Sequence, residues 1–296
     1  MNETLKRAIS GVVYIIVLLA SILYSTESFF ILFGIFMIIA IYEFCSLIQI
    51  NKALPIVFGT VFYTAVILVI NYNVFTTKTI NDILHSNLYL SINTKQLSIV
   101  LLVIALVVSI KCILFLFYDT IQKISTSSKY LYLIGYSLLP FIFITQIPFG
   151  EKGYNPKIII SIFILIWTND TFAYIVGKSI GRTKLFEKIS PKKTIEGFIG
   201  GILFAILASY FISKYYFAPK DFYLKKSIII WMTIALIVGV FGTIGDLIES
   251  KFKRIAGVKD SGIIMPGHGG ILDRLDSVIF VAPIVFLFYQ ILNYVS

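Results

Sequence analysis

Apolar runs of about 17–25 residues recur along nearly the whole chain, each long enough to cross the hydrocarbon of a bilayer as a helix. Nine such runs fall at about 9–24, 29–50, 54–71, 97–118, 131–148, 158–177, 195–213, 227–245 and 275–295, with ends uncertain by roughly 2–4 residues. They are continuous and do not alternate in ten-residue blocks, which favours helices over barrel strands. The expected fold is therefore all-α, a polytopic integral membrane protein with about nine transmembrane helices. It divides into N-terminal transmembrane helices over residues 1–150 and a C-terminal transmembrane catalytic region over 151–296. The hydrophobic share of 58% and charged share of 14% exclude a soluble multidomain protein.

The formal charge of +10 would suggest nucleic acid in a soluble chain. Here most cations sit in short loops between spans, where they orient the protein and meet anionic headgroups, so no nucleic-acid partner is expected. With the N-terminus inside, inner segments outnumber outer ones in Lys and Arg by about two to one. That predicts a cell-membrane protein with its N-terminus in the cytoplasm and its C-terminus outside. The first run, after Lys6 and Arg7, reads as a retained helix because it lacks a small-residue cleavage site. Cys45 and Cys112 lie inside apolar runs and offer no disulfide framework or zinc site. Glu43, Lys111 and Asp170 fall within spans, each in the cytoplasmic part of its helix, which suggests a site open to that side.

Two polar, glycine-rich islands interrupt the apolar pattern. The first runs from Thr168 to Gly201 and contains Asp170, Ser190-Pro-Lys-Lys-Thr194, Glu196 and Gly200-Gly201. Pro191 after Ser190 predicts a helix start with Ser190 as its N-cap, where backbone N–H groups with Lys192 and Lys193 would favour an anion. Glu196, at the mouth of a span, is expected to pair with a nearby Lys. The second island runs from Gly245 to Asp276. Asp273 and Asp276 stand three apart, on one face of a helix, and Ser250 follows Asp246 by four. Hard oxygen ligands without Cys or paired His suit magnesium, which shares its shell with substrate phosphates. Pro266-Gly267 and Gly269-Gly270 around His268 predict a tightly folded backbone beside cations and carboxylates, as a polyphosphate and its metal require. Structural ion pairs (Asp273 with Arg274, Asp260 with Lys259) are the plainer reading of the same residues.

The run Ser250-Lys-Phe-Lys-Arg254, Lys259-Asp260, Gly262, Pro266, His268-Gly-Gly270 and Asp273-Arg-Leu-Asp276 resembles the signature of the phosphatidate cytidylyltransferase (CDP-diacylglycerol synthase) family. Met265 stands where that signature usually has Leu, Ile or Phe. Asp170-Thr-Phe-Ala-Tyr174, Ser190-Pro-Lys-Lys-Thr194, Glu196-Gly and Gly200-Gly201 are similar to the same family. The resemblance implies magnesium-dependent transfer of CMP from CTP to phosphatidic acid. It assigns Asp246, Asp273 and Asp276 to the metal and to catalysis, with Lys259 and Asp260 beside them. Ser190, Lys192, Lys193, Thr194, Ser250, Lys253, Arg254, His268, Gly269, Gly270 and Arg274 would bind substrate. Asp170 and Glu196 would hold cations or a second ion in place. The implied partners are CTP, phosphatidic acid and membrane lipids, and a homodimer stays open. A CTP-using polyprenol kinase is the nearest alternative enzyme. An ion-coupled transporter would need polar residues in both halves of the bilayer, whereas these concentrate in one. A CDP-alcohol phosphotransferase would need an Asp-x-x-Asp-Gly-x-x-Ala-Arg pattern that is absent.

Overall fold

The computed structural model describes residues 3–71, 94–117, 124–150, 153–217 and 221–295. Among these, the apolar runs form nine helices long and apolar enough to cross a membrane. They are α1 (Glu3–Tyr24), α2 (Thr26–Leu47), α3 (Ala53–Ile70), α4 (Thr94–Phe117) and α5 (Thr126–Gln146), then α6 (Pro156–Ile180), α7 (Ile195–Phe217), α8 (Asp221–Ala256) and α9 (Leu272–Val295). Two antiparallel ribbons join them: β1 (Phe149–Gly150) with β2 (Gly153–Tyr154), and β3 (Lys184–Phe186) with β4 (Ser190–Thr194). A polar connection from Tyr72 to Lys95 carries Asp82 and His85, and its residues 72–93 lie outside the described residues.

Within α5 the turns widen to a π-helix over Leu133–Leu138, just ahead of Pro140. Pro140 cannot donate an N–H and its ring would crowd the carbonyl four residues back, which the wider turn relieves. α5 is the most enclosed span and α1 the most lipid-facing.

Helix α8 corrects the sequence reading. It continues about three turns past the expected end near residue 245, to Ala256, and so contains Glu249 to Arg254. Its 36 residues amount to about 54 Å, well beyond the ~30 Å hydrocarbon layer. The extension holds because Leu247, Ile248 and Phe252 carry the helical period and are buried. Phe252 sits among Phe44 of α2, Phe115 of α4 and Tyr132 and Tyr136 of α5, with ring centroids 4.9–5.8 Å away. Lys251, also buried and over the ring of Phe115, donates to the carbonyls of Phe115 and Leu116, closing the C-terminal end of α4.

Small residues set the other contacts that shape this end of the bundle. A Cβ on Gly197 would stand 2.6 Å from the Ala173 carbonyl and 3.0 Å from the Gly177 Cα, so α6 and α7 meet backbone to backbone. A Cβ on Gly245 would reach within 2.6 Å of the Asp276 carbonyl, which packs α8 directly on α9. Those two approaches bring the polar islands together at the end where α1 begins, called the near end here. At the far end, the Tyr154 hydroxyl donates to the Ile22 carbonyl at 2.8 Å.

Two further expectations are corrected. Ser190 and Pro191 do not open a helix. They begin β4, which among the described residues pairs only with β3, so the N–H that Pro lacks is not missed. The N-cap is Thr194, whose hydroxyl accepts from Gly197 N at 3.1 Å. Lys111 faces outward from α4 and lies apart from the polar islands, where its long stem suits a snorkelling cation.

Candidate active site

The loop between α8 and α9 is organised by two carboxylates. Met265, Pro266, Gly267 and His268 form a β-turn in which His268 N donates to the Met265 carbonyl at 2.9 Å. Gly267 supplies the positive φ of 77° that the position after Pro needs. From α9, Asp273 Oδ2 accepts from Gly270 N (2.7 Å), Ser261 N (2.8 Å) and Ser261 Oγ (2.9 Å). Its Oδ1 accepts from Lys253 Nζ at 2.6 Å, and Lys253 also pairs with Glu249 at 2.7 Å. From α2, Glu43 receives Leu272 N at 2.8 Å, Ile271 N at 3.2 Å and Ser261 Oγ at 3.3 Å. A helix 229 residues upstream thus supplies the N-terminal cap of α9. The loop closes on α1, where Ser10 Oγ lies 2.8 Å from His268 Nδ1. Burial, then the charges of Arg274 and Arg7, hold the His268 imidazole below its ordinary pKa.

Beneath this loop, α6, β3, β4, α7, α8 and α9 enclose a cavity of about 640 Å³, within the range of small-molecule sites. Asp170, Asp246, Asp273 and Asp276 form its acidic part. Lys178, Lys184, Lys192, Lys193 and Arg274 form its basic part. Lys193 reaches Asp246 at 2.6 Å, and Ser250 Oγ donates to the other oxygen of that carboxylate at 3.2 Å. Asp170, Asp246 and Asp276 stand near enough to repel one another's charge. Four carboxylates gathered on one cavity suit a hard divalent ion that keeps part of its own water. Among the described residues no three such side chains converge at ligand spacing, so the set is spread along the wall.

This arrangement accords with the comparison by sequence. A family model described as the cytidylyltransferase family matches residues 5–292. The chain belongs to the cytidylyltransferase family. The chain is similar to the phosphatidate cytidylyltransferase of Staphylococcus aureus (strain COL), 50% identical over 123 residues, covering 42% of this chain and 45% of that one. It is similar to the namesake from Staphylococcus epidermidis (strain RP62A), 48% identical over 129 residues, with 44% and 47% covered. A third relative, from Staphylococcus haemolyticus (strain JCSC1435), is 50% identical over 123 residues, with 42% and 45% covered. The chain thus spans under half the length of these relatives.

Of the residues expected at the site, the cavity gathers Asp170, Lys192, Lys193, Thr194, Asp246, Asp273, Arg274 and Asp276. Lys259, Asp260, His268 and Gly269 line a neighbouring hollow, which shares Arg274 with the cavity. Ser190, Glu196, Ser250, Lys253, Arg254 and Gly270 line neither. Among the described residues no ion pair of Glu196 with a lysine is seen; its carboxylate accepts from Thr183 N at 3.1 and 3.2 Å and fastens the β3–β4 ribbon. Arg254 Nε donates to the Ile189 carbonyl at 3.2 Å, holding the same ribbon from α8. Lys253 serves Glu249 and Asp273. Sequence reasoning missed Lys178 and Lys184, which line the cavity, and Glu249, the partner of Lys253. Asp170, Tyr174 and Lys178 recur every four residues of α6, a stripe that was there to be read.

Proposed function

We propose that this protein is a phosphatidate cytidylyltransferase: it transfers CMP from CTP to phosphatidic acid, forming CDP-diacylglycerol and releasing pyrophosphate. The observation that carries the proposal is one cavity at the near end of a membrane bundle, lined by four carboxylates and five cations. An oxygen of the phosphatidate phosphate forms a bond to the α-phosphorus of CTP as the bond to the bridging oxygen breaks, and pyrophosphate leaves with the electron pair. The attacking oxygen is already ionised near neutral pH, so the chain needs no activated Ser or Cys. Lys178, Lys184, Lys192, Lys193 and Arg274 offset the charge of the triphosphate and of the leaving group.

Asp246 and Asp276, with Asp170 and Asp273 along the same wall, are the residues that would hold magnesium, through one or two carboxylates and its own waters. When bound, the ion supplies charge stabilisation on the phosphoryl oxygens. The cavity opens to the cytoplasm, where CTP is dissolved, and the acyl chains stay in the hydrocarbon of the cell membrane. Purified protein given radiolabelled CTP, phosphatidic acid and magnesium is expected to yield CDP-lipid and pyrophosphate. Chelation should stop turnover and added magnesium restore it. Absence of CDP-lipid from folded protein, or release of CDP with a newly phosphorylated lipid, would overturn the assignment.

A further inference from the structure

A second polar hollow, of about 460 Å³, lies across Arg274 from the cavity, between the start of α1 and the loop that precedes α9. Arg7, Lys259 and Arg274 bring three full positive charges to its wall, against the single carboxylate of Asp260. His268 adds a ring nitrogen. Arg7 is remote in sequence from every other polar residue here, and its presence depends on a fitted contact. The Arg7 side chain crosses Gly267 so closely that a Cβ there would stand 2.6 Å from Arg7 Cγ. One turn on, Ser10 Oγ is 3.0 Å from the Pro266 carbonyl and 2.8 Å from His268 Nδ1. A Cβ on Gly11 would come within 3.3 Å of the His268 ring. α1 is thus docked on the loop by three successive positions, while most of its length faces lipid.

We propose that Arg7, acting with Lys259, His268 and Arg274, binds a terminal phosphate carrying two negative charges, and that α1 is therefore part of the substrate site. This rests on the transfer chemistry proposed above. The planar guanidinium fork matches two phosphate oxygens at once, which a lysine at the same place would not do. Arg274 borders both spaces, so a phosphate held in the hollow stands next to the reacting groups. Two sources offer this chemistry: the headgroup of phosphatidic acid, which reaches the start of α1 along the membrane surface, and the pyrophosphate end of the nucleotide.

The test uses full-length protein in detergent, with ligand affinities read from thermal shift for inorganic pyrophosphate and, separately, for a short-chain phosphatidate. Arg7→Gln removes the charge. Arg7→Lys keeps the positive charge that orients the first span but loses the fork. Arg7→Gln is expected to lose at least tenfold in affinity for one of the two ligands, with a smaller loss for Arg7→Lys. A loss confined to phosphatidate identifies the headgroup; a loss confined to pyrophosphate identifies the nucleotide. If Arg7→Gln does not fold, weakened binding of either ligand by Arg7→Lys sustains the proposal. Unchanged affinities in the folded variants overturn it, because Arg7 then only packs on Gly267. So does a wild-type protein that binds neither ligand. If the wild type binds these anions yet makes no CDP-lipid, the transfer reading fails while the Arg7 affinities still decide this one.

Discussion

Glu43 offers the sharpest test of how the two halves of the chain cooperate. It is 2% exposed, and its two oxygens receive Ile271 N, Leu272 N and Ser261 Oγ. Glu43→Ala leaves the two N–H groups buried at the start of α9 without an acceptor, because Ile271 and Leu272 are 5% and 0% exposed. Ser261 keeps its bond to Asp273 and adds nothing to the cost. At about 1–3 kcal/mol for each stranded donor, the loss is about 2–6 kcal/mol. Glu43→Gln retains one acceptor but turns an amide N–H₂ toward a donor, so it should recover less than half of that. The start of α9 carries Asp273 in its first turn and Asp276 just beyond it, so turnover should fall together with stability. Thermal unfolding in detergent, run beside a CDP-lipid assay on the same samples, measures both. Glu43→Ala melting with the wild type, at unchanged kcat, would refute the cap.

Phe252→Ala empties a space bounded by four aromatic rings and should cost about 3–5 kcal/mol, read as a lowered melting temperature; a change under 1 kcal/mol would mean the cluster does not hold the end of α8. Gly197→Ala forces α6 and α7 apart and should cost about 1–3 kcal/mol, with a raised KM for CTP because Lys192 and Lys193 ride on the adjoining ribbon. His268 is held below its ordinary value of 6.5, so the unfolded chain takes up a proton first as pH falls. Its contribution to stability is full above about pH 6.5 and is lost as pH drops through the lower folded value. Melting curves from pH 7.5 to 5 should therefore fall more steeply for the wild type than for His268→Gln, and parallel curves would contradict this sign.

The nine spans were legible because twenty apolar residues in a row have few other destinations. The union of the polar islands was legible too, since the charges of Asp170, Asp246 and Asp276 fall at one depth. The length of α8 was not. Lys251, Lys253 and Arg254 look like a loop until Leu247, Ile248 and Phe252 are counted as a buried stripe. Ser190-Pro191 carries the same letters whether it starts a helix or an outer strand, and only pairing with Lys184 to Phe186 decides between them. Glu43 was noticed for its place in a span. Its partners could not be inferred, because two of the three are backbone N–H groups, which every residue but Pro carries. Arg7 was hidden for the opposite reason: a cation ahead of a first span is explained by orientation alone.

The contacts that complete the loop also fix when it can be completed. Ser10 and His268 are 258 residues apart, and Glu43 and Leu272 are 229 apart. At synthesis rates of about 5–20 residues per second, α2 leaves the ribosome about 10–45 s before the helix it caps. Throughout that interval α2 carries a carboxylate whose partners do not yet exist, and α1 has no loop to dock on. The nascent chain is a membrane protein long before its polar site exists. α9, the last span among the described residues, supplies Asp273 and Asp276 and at the same moment gives Glu43 its donors, so a chain stopped short of α9 lacks both those carboxylates and the cap.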